Sequence, residues 1–119
     1  MSFKKILETL TEKSHARGAV MLDFEGEMVD SFSVAAGLEL DAIGAHKGLI
    51  LNMLKDVAAN THDKDDVESV AIQAGESKVV MFPLKDGYCL LVVTDRFKPF
   101  GHVMFESKRA AREIEKEMG

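Results

Sequence analysis

The chain has 119 residues, of which 46% are hydrophobic and 29% are charged, and these values are typical of one ordinary globular domain. Fifteen basic and 20 acidic residues give a net charge of −5, which argues against general nucleic-acid binding, because such proteins are normally basic. The single cysteine, Cys89, excludes a disulfide within the chain and favours a cytoplasmic location. No apolar run reaches the ~20 residues of a membrane-spanning helix, so we expect no membrane insertion.

The N-terminal third predicts a helix followed by a β-hairpin. Four apolar side chains follow the i, i+3, i+4, i+7 spacing of one helical face: Phe3, Ile6, Leu7 and Leu10. Its charged residues also argue against a secretory signal. Strand-forming residues then fill 17–24 and 28–33, with Gly26 at the turn between them.

The longest predicted helix runs from Glu39 to about Asn60. Asp41 lies near its N-terminal end, where a negative charge is favourable. Four of its apolar side chains fall within a narrow arc and predict a stripe that faces the core: Ile43, Ile50, Leu54 and Val57. A charged loop follows at residues 60–66.

The C-terminal half predicts three strands, at residues 67–74, 78–84 and 88–94, and a last helix that ends near Met118. The stripe of this helix is formed by Val103, Ala110, Ala111, Ile114 and Met118. The order α-β-β-α-β-β-β-α has no βαβ alternation. It therefore predicts a single α+β domain over residues 1–119, with a five-stranded antiparallel sheet flanked by three helices.

A search for reactive constellations finds none. The sequence lacks a P-loop, GxGxxG, GxSxG, CxxC and HExxH. The loop around His62 and Asp63 lacks the calcium-ligand spacing, and the acidic hairpin around Glu25 is typical of a solvated turn. We expect Cys89 to be a buried structural thiol. The sequence thus predicts no catalytic residue, metal or cofactor, and no enzyme.

The long helix carries a second unusual surface opposite its core stripe. Gly44, Gly48 and Asn52 form a ladder spaced by four, although each mid-helix glycine costs about 0.5–1 kcal/mol relative to alanine. Leu49 and Met53 lie on a flank of the helix. Two small or apolar surfaces indicate that one meets the sheet and the other meets another chain. The alternative is a helix enclosed in a thick monomer core.

The strand after this helix starts with Val67, Glu68 and Ser69, directly behind two aspartates. Charge at its start is typical of an edge strand that is protected against pairing. An edge strand can also pair with its twin in a symmetric dimer, and the sequence leaves both interpretations open.

Three segments carry a resemblance to a known family. They are the hairpin GAVMLDFEGEMVDSFS, the strands VAIQAGESKVVMFPLKDGYCLLVVTD and the helix FGHVMFESKRAAREIEKEM, and the resemblance covers nearly the whole chain. Together with the element order, they resemble the Roadblock family of dynein light chains and bacterial small-GTPase regulators, whose fold is profilin-like. The most telling part of this similarity is the strand-turn-strand segment Val79 to Val93.

The resemblance implies a homodimer, or a dimer with a paralogous Roadblock chain, joined through the strand after the long helix. Family members bind small Ras-like GTPases on the paired helices, and one bacterial member stimulates GTP hydrolysis without an arginine finger. We therefore expect a dimer interface at Gly44, Gly48, Asn52, Val67, Glu68, Ser69 and Val70. We expect partner contacts at Ala45, Leu49, Met53 and Asp56.

The leading hypothesis is a non-catalytic dimer that binds a Ras-like GTPase and modulates its hydrolysis or localisation. A dimeric scaffold or adaptor for a larger signalling or motility complex, and a small-ligand sensor, stay open as alternatives. Phe105 fits none of these, since it projects toward the charged side of the last helix. A frayed or shifted helix start explains it better than a second partner site.

Overall fold

The computed structural model describes residues 2–34, 69–74, 77–95, 97 and 99–119. Within these residues the helices are α1 (Phe3–Ser14) and α2 (Phe100–Met118). The strands are β1 (Gly18–Leu22), β2 (Met28–Ser33), β3 (Val70–Ala74), β4 (Ser77–Pro83) and β5 (Cys89–Asp95), and a 3-10 turn (Lys85–Gly87) joins the last two. All strand pairs are antiparallel, in the order β2-β1-β5-β4-β3.

The predicted five-stranded antiparallel sheet and both terminal helices are confirmed. Observed strand ends differ from the predicted ones by at most three residues, and the largest shift is the start of β3 at Val70. The predicted helix at residues 39–60 lies outside the described residues.

Local interactions fix both ends of α1. The Ser2 hydroxyl accepts a hydrogen bond from the Lys5 amide at 3.2 Å and caps the helix. At the other end His15 adopts φ 57°, a left-handed conformation in which histidine is several-fold enriched, and its amide donates back into the last turn. This C-cap redirects the chain into β1.

The two helices pack against each other on one face of the sheet. The core on this face contains Ile6, Leu7 and Leu10 of α1, Ala19, Met21, Val80, Phe82, Leu90 and Val92 of the sheet, and Val103, Ala110 and Ile114 of α2. The predicted stripe of the last helix is confirmed, since Ala111 and Met118 also pack against this cluster.

A second cluster lies on the opposite face of the sheet, and its described members are strand residues. Its buried members are Val20, Leu22, Val79, Met81, Cys89, Leu91 and Val93. Each is at most 5% exposed, so the central strands are buried on both faces. The predicted burial of Cys89 is confirmed.

Phe105 lies well inside α2 and is 65% exposed. The helix is continuous from Phe100, so the predicted fray or shift at its start was wrong. The ring stays at the surface because position 105 is opposite the buried positions Val103, Ala110 and Ile114 on the helical wheel.

Two serines are buried in the helices, and they differ in whether the hydroxyl is hydrogen-bonded. The Ser14 hydroxyl donates to the Leu10 carbonyl at 2.7 Å, whereas the Ser107 hydroxyl has no hydrogen-bond partner among the described residues. We expect Ser107→Ala to raise the free energy of unfolding by about 1 kcal/mol, because an unsatisfied buried hydroxyl is costly.

Ser14→Ala is the matched control, since both changes replace a buried helical serine with alanine. Chemical denaturation of the two variants should place Ser107→Ala above Ser14→Ala by about 1–2 kcal/mol. Equal stabilities would contradict the assigned difference in hydrogen bonding.

Candidate functional site at the sheet edges

The sheet has two outer strands, β2 and β3, and they differ in how they meet solvent. No strand within the described residues pairs with the outer side of either. An outer edge exposes backbone N–H and C=O groups that can pair with another chain. The two edges are therefore the first places to look for an interaction site.

The β2 edge is protected in two ways. Val29 is an extra residue in the register, because Leu22 faces Met28 while Met21 faces Asp30, and such a bulge twists an edge away from further pairing. A charged side chain supplies the second protection. The Asp30 carboxylate accepts the Ser31 amide at 2.8 Å and lies 3.5 Å from the Lys4 ammonium.

The Ser31 amide points outward from the sheet. Hydrogen-bonded and non-hydrogen-bonded pairs alternate along antiparallel strands, and the Val34 amide donates to the Arg17 carbonyl at 2.9 Å. Arg17 and Val34 therefore form a hydrogen-bonded pair. Three residues further along the register, Ser31 lies opposite Val20 in a non-hydrogen-bonded pair, so its amide faces away from β1. Asp30 therefore occupies an amide that an added strand would otherwise use.

Among the described residues, nothing protects the β3 edge in a comparable way. Its five residues, VAIQA, include no charge, proline or glycine. The register with β4 runs without a shift from Val70 opposite Met81 to Ala74 opposite Ser77. Ala71 and Gln73 are exposed on the same face of the strand. A regular, uncharged edge of this kind is suited to pairing with a second strand.

Only two of the predicted interface residues lie within the described residues. Ser69 immediately precedes β3 and is half-buried, and Val70 opens β3 and packs against the second core cluster. The other predicted interface positions lie outside the described residues: Gly44, Gly48, Asn52, Val67 and Glu68. The same holds for the predicted partner contacts, Ala45, Leu49, Met53 and Asp56.

Sequence reasoning missed Ala71 and Gln73, the exposed side chains of the β3 edge. The signal was present, because a polar residue inside an apolar strand marks the solvent-facing side, and its i−2 neighbour shares that side. The prediction instead named residues at the start of the predicted strand, from Val67 to Val70.

The acidic hairpin has a structural role. One carboxylate oxygen of Asp23 accepts the amides of Glu25 at 2.8 Å and Glu27 at 3.0 Å, which closes the turn. Within the described residues, no three histidine, cysteine or acidic side chains converge as metal ligands would. The helices of this part of the chain are also too short or too polar to cross a membrane.

Comparison with known proteins shows the fold. No protein-family model matches the sequence, and no curated protein does either. MglB of Myxococcus xanthus superimposes with a TM-score of 0.86 at 15% identity, over 98% of this chain and 94% of MglB. A Roadblock/LC7 domain of Streptomyces avermitilis gives 0.85 at 16% identity, over 97% and 96%. The chain has the Roadblock/LC7 fold.

The relation to profilins is more distant. Profilin IA of Acanthamoeba castellanii superimposes with a TM-score of 0.63 at 16% identity, over 99% of this chain and 100% of the profilin. The Roadblock resemblance and the profilin-like character of the sheet are thus confirmed at the level of fold. In this Roadblock/LC7 fold, β3 is the edge that follows the predicted long helix.

The protection of the β2 edge can be tested by amide exchange. Asp30→Ala removes the acceptor of the Ser31 amide, so this amide should exchange about fivefold faster than in the unchanged protein, the equivalent of one modest hydrogen bond. Asp30→Asn keeps an acceptor oxygen and should preserve most of the protection. Equal exchange in all three proteins, measured by nuclear magnetic resonance, would show that Asp30 does not cover this edge.

Proposed function

We propose that this protein is a non-catalytic, dimeric regulator that binds a small Ras-like GTPase and changes its GTP hydrolysis or localisation. The observation that carries the proposal is the regular, uncharged β3 edge in a Roadblock/LC7 fold. The resemblance to bacterial GTPase regulators supplies the class of partner.

The dimer would form by antiparallel pairing of two β3 strands about a two-fold axis. Pairing would satisfy the outward backbone groups of both strands and join the two sheets into one. The β2 edge is unsuited to the same role because its bulge and Asp30 obstruct an incoming strand. The contrast between the edges thus supports β3 as the joint.

The GTPase would bind where the two copies of the predicted helix 39–60 lie side by side. Gly44 and Gly48 would let the two helix backbones approach closely. Leu49 and Met53 would then offer an apolar surface to the switch region of the GTPase. The mechanism is positional: the dimer would favour one switch conformation and thereby shift its population.

The dimer can be tested with a pair of matched variants. Ala71→Lys with Gln73→Lys places lysines of two copies beside each other along a β3–β3 joint, and like charges that face each other oppose pairing. Light scattering at micromolar concentration should give a dimer for the unchanged chain and a 13.1 kDa monomer for this variant.

Ser31→Lys with Ser33→Lys is the control, because it adds the same charge at the same spacing to the other edge. The control should stay dimeric. A monomeric unchanged chain, or equal loss of the dimer in both variants, would contradict β3 as the joint.

The GTPase surface has a separate test. Gly48→Arg places a bulky cation on the predicted helix face, so it should abolish binding to a GTP-loaded Ras-like GTPase and remove any effect on hydrolysis. Binding is measured by pull-down and hydrolysis by phosphate release, with light scattering of the same samples to separate loss of the dimer from loss of GTPase contact. If Gly48→Arg and the unchanged chain bind and act equally, the helix face is not the binding site.

The same assay distinguishes the alternatives. Tight binding with unchanged GTP turnover would select a scaffold over a regulator. A small molecule that co-purifies with the chain would select a small-ligand sensor.

A further inference from the structure

Exposed apolar side chains gather at one end of the sheet, away from β3. Phe24 in the β1–β2 turn is 59% exposed, and Val29 near the start of β2 is 41% exposed. The Phe24 ring lies 6.4 Å from the Tyr88 ring, in a tilted arrangement, so the patch continues to the start of β5. Clustered apolar exposure of this kind marks an interaction surface more often than scattered single residues do.

An open groove of about 320 Å³ lies beside this patch, and we name it the end groove. It is lined by Phe3, Val29, Asp86, Tyr88, Glu117 and Met118. These residues come from both helices, β2 and the turn before β5. Its volume is at the small end of ligand pockets, which span roughly 300–1,000 Å³, so it suits a few side chains.

Both charged residues that line the end groove are acidic. Asp86 and Glu117 line it, and Glu25 and Glu27 are exposed in the turn that carries Phe24. Two cations near these elements already have partners. The Lys85 ammonium donates to the Gly119 carbonyl, and Lys4 lies 3.5 Å from Asp30.

The walls of the end groove are held in place. The Lys85 amide donates to the Glu115 carboxylate at 2.9 Å, which ties the turn before β5 to α2. On the other side, a Cβ at Gly87 would lie 3.1 Å from the Phe24 Cβ, so the glycine lets the two turns touch. A preformed groove loses little conformational entropy when it is filled.

We propose that the end groove docks a cationic, apolar segment of a partner protein. A large apolar side chain of the segment would pack among Phe3, Val29 and Tyr88, and an adjacent lysine or arginine would pair with Asp86. Charge complementarity selects this occupant, because an anionic lipid surface would face the same carboxylates that attract a cation. The site lies apart from the β3 edge and goes beyond the proposed GTPase regulation.

The probe is a short fluorescent peptide of alternating leucine and arginine, compared with a peptide of alternating leucine and glutamate. The arginine peptide should bind the unchanged chain, as measured by fluorescence anisotropy, and the glutamate peptide should not. Val29→Lys places a cation in the end groove and should weaken binding by at least about tenfold. Val34→Lys, at the far end of β2 and 61% exposed, should leave the affinity unchanged within about twofold.

A second pair of variants tests the charge alone. Asp86 has φ 61°, a conformation that asparagine also tolerates, so Asp86→Asn keeps the turn while it removes the carboxylate. This change should lower the affinity for the arginine peptide by about threefold. Glu12→Gln removes an exposed acid near the other end of α1 and should leave that affinity unchanged.

Three results would overturn the proposal. If the end-groove variants and their controls weaken binding of the arginine peptide equally, the peptide is attracted to the acidic protein in general and not to the end groove. Binding of anionic phosphatidylserine vesicles that Val29→Lys strengthens would show a lipid surface. Assemblies larger than a dimer that form without peptide and dissolve with Val29→Lys would show that a second copy occupies the groove.

Discussion

The burial of β5 on both faces is the constraint on which the rest of the structure depends. β5 is hydrogen-bonded to β1 on one side and to β4 on the other, and its residues from Cys89 to Thr94 are buried. Leu90 and Val92 enter the helix-side core, whereas Leu91 and Val93 enter the second cluster. β1 and β4 also contribute to both clusters, and β5 is the strand that lies between them and holds them together.

Much of this arrangement could be predicted because it follows from local patterns. The stripes of α1 and α2 repeat at helical spacing, and the strands are runs of β-formers separated by turn residues. The exact ends of the helices and strands were harder to predict from the sequence, since they depend on caps such as the left-handed His15 and on the bulge at Val29. Both features are set by how the chain meets its neighbours.

The candidate site could be predicted only in part for the same reason. The sequence identified the strand after the long helix as an edge, and Gln73 marked its exposed side, but the regularity of this edge requires the register with β4. For Phe105, by contrast, the sequence contained enough information and its interpretation was wrong. Its exposure followed from helical geometry, and the sequence interpretation erred by moving the helix to hide it. The end groove joins residues that are far apart in sequence, which no local pattern reveals.

The unequal edges have a consequence for stoichiometry. The number of open edges is the number of other copies with which one sheet can pair, which we call its valence. A sheet with a valence of two can add further copies without limit, as in a fibre. The bulge at Val29 and the carboxylate of Asp30 close the β2 side, so pairing through β3 would give a valence of one. Units of valence one stop growing at a pair, so a few residues on β2 set the size of any assembly built on β3.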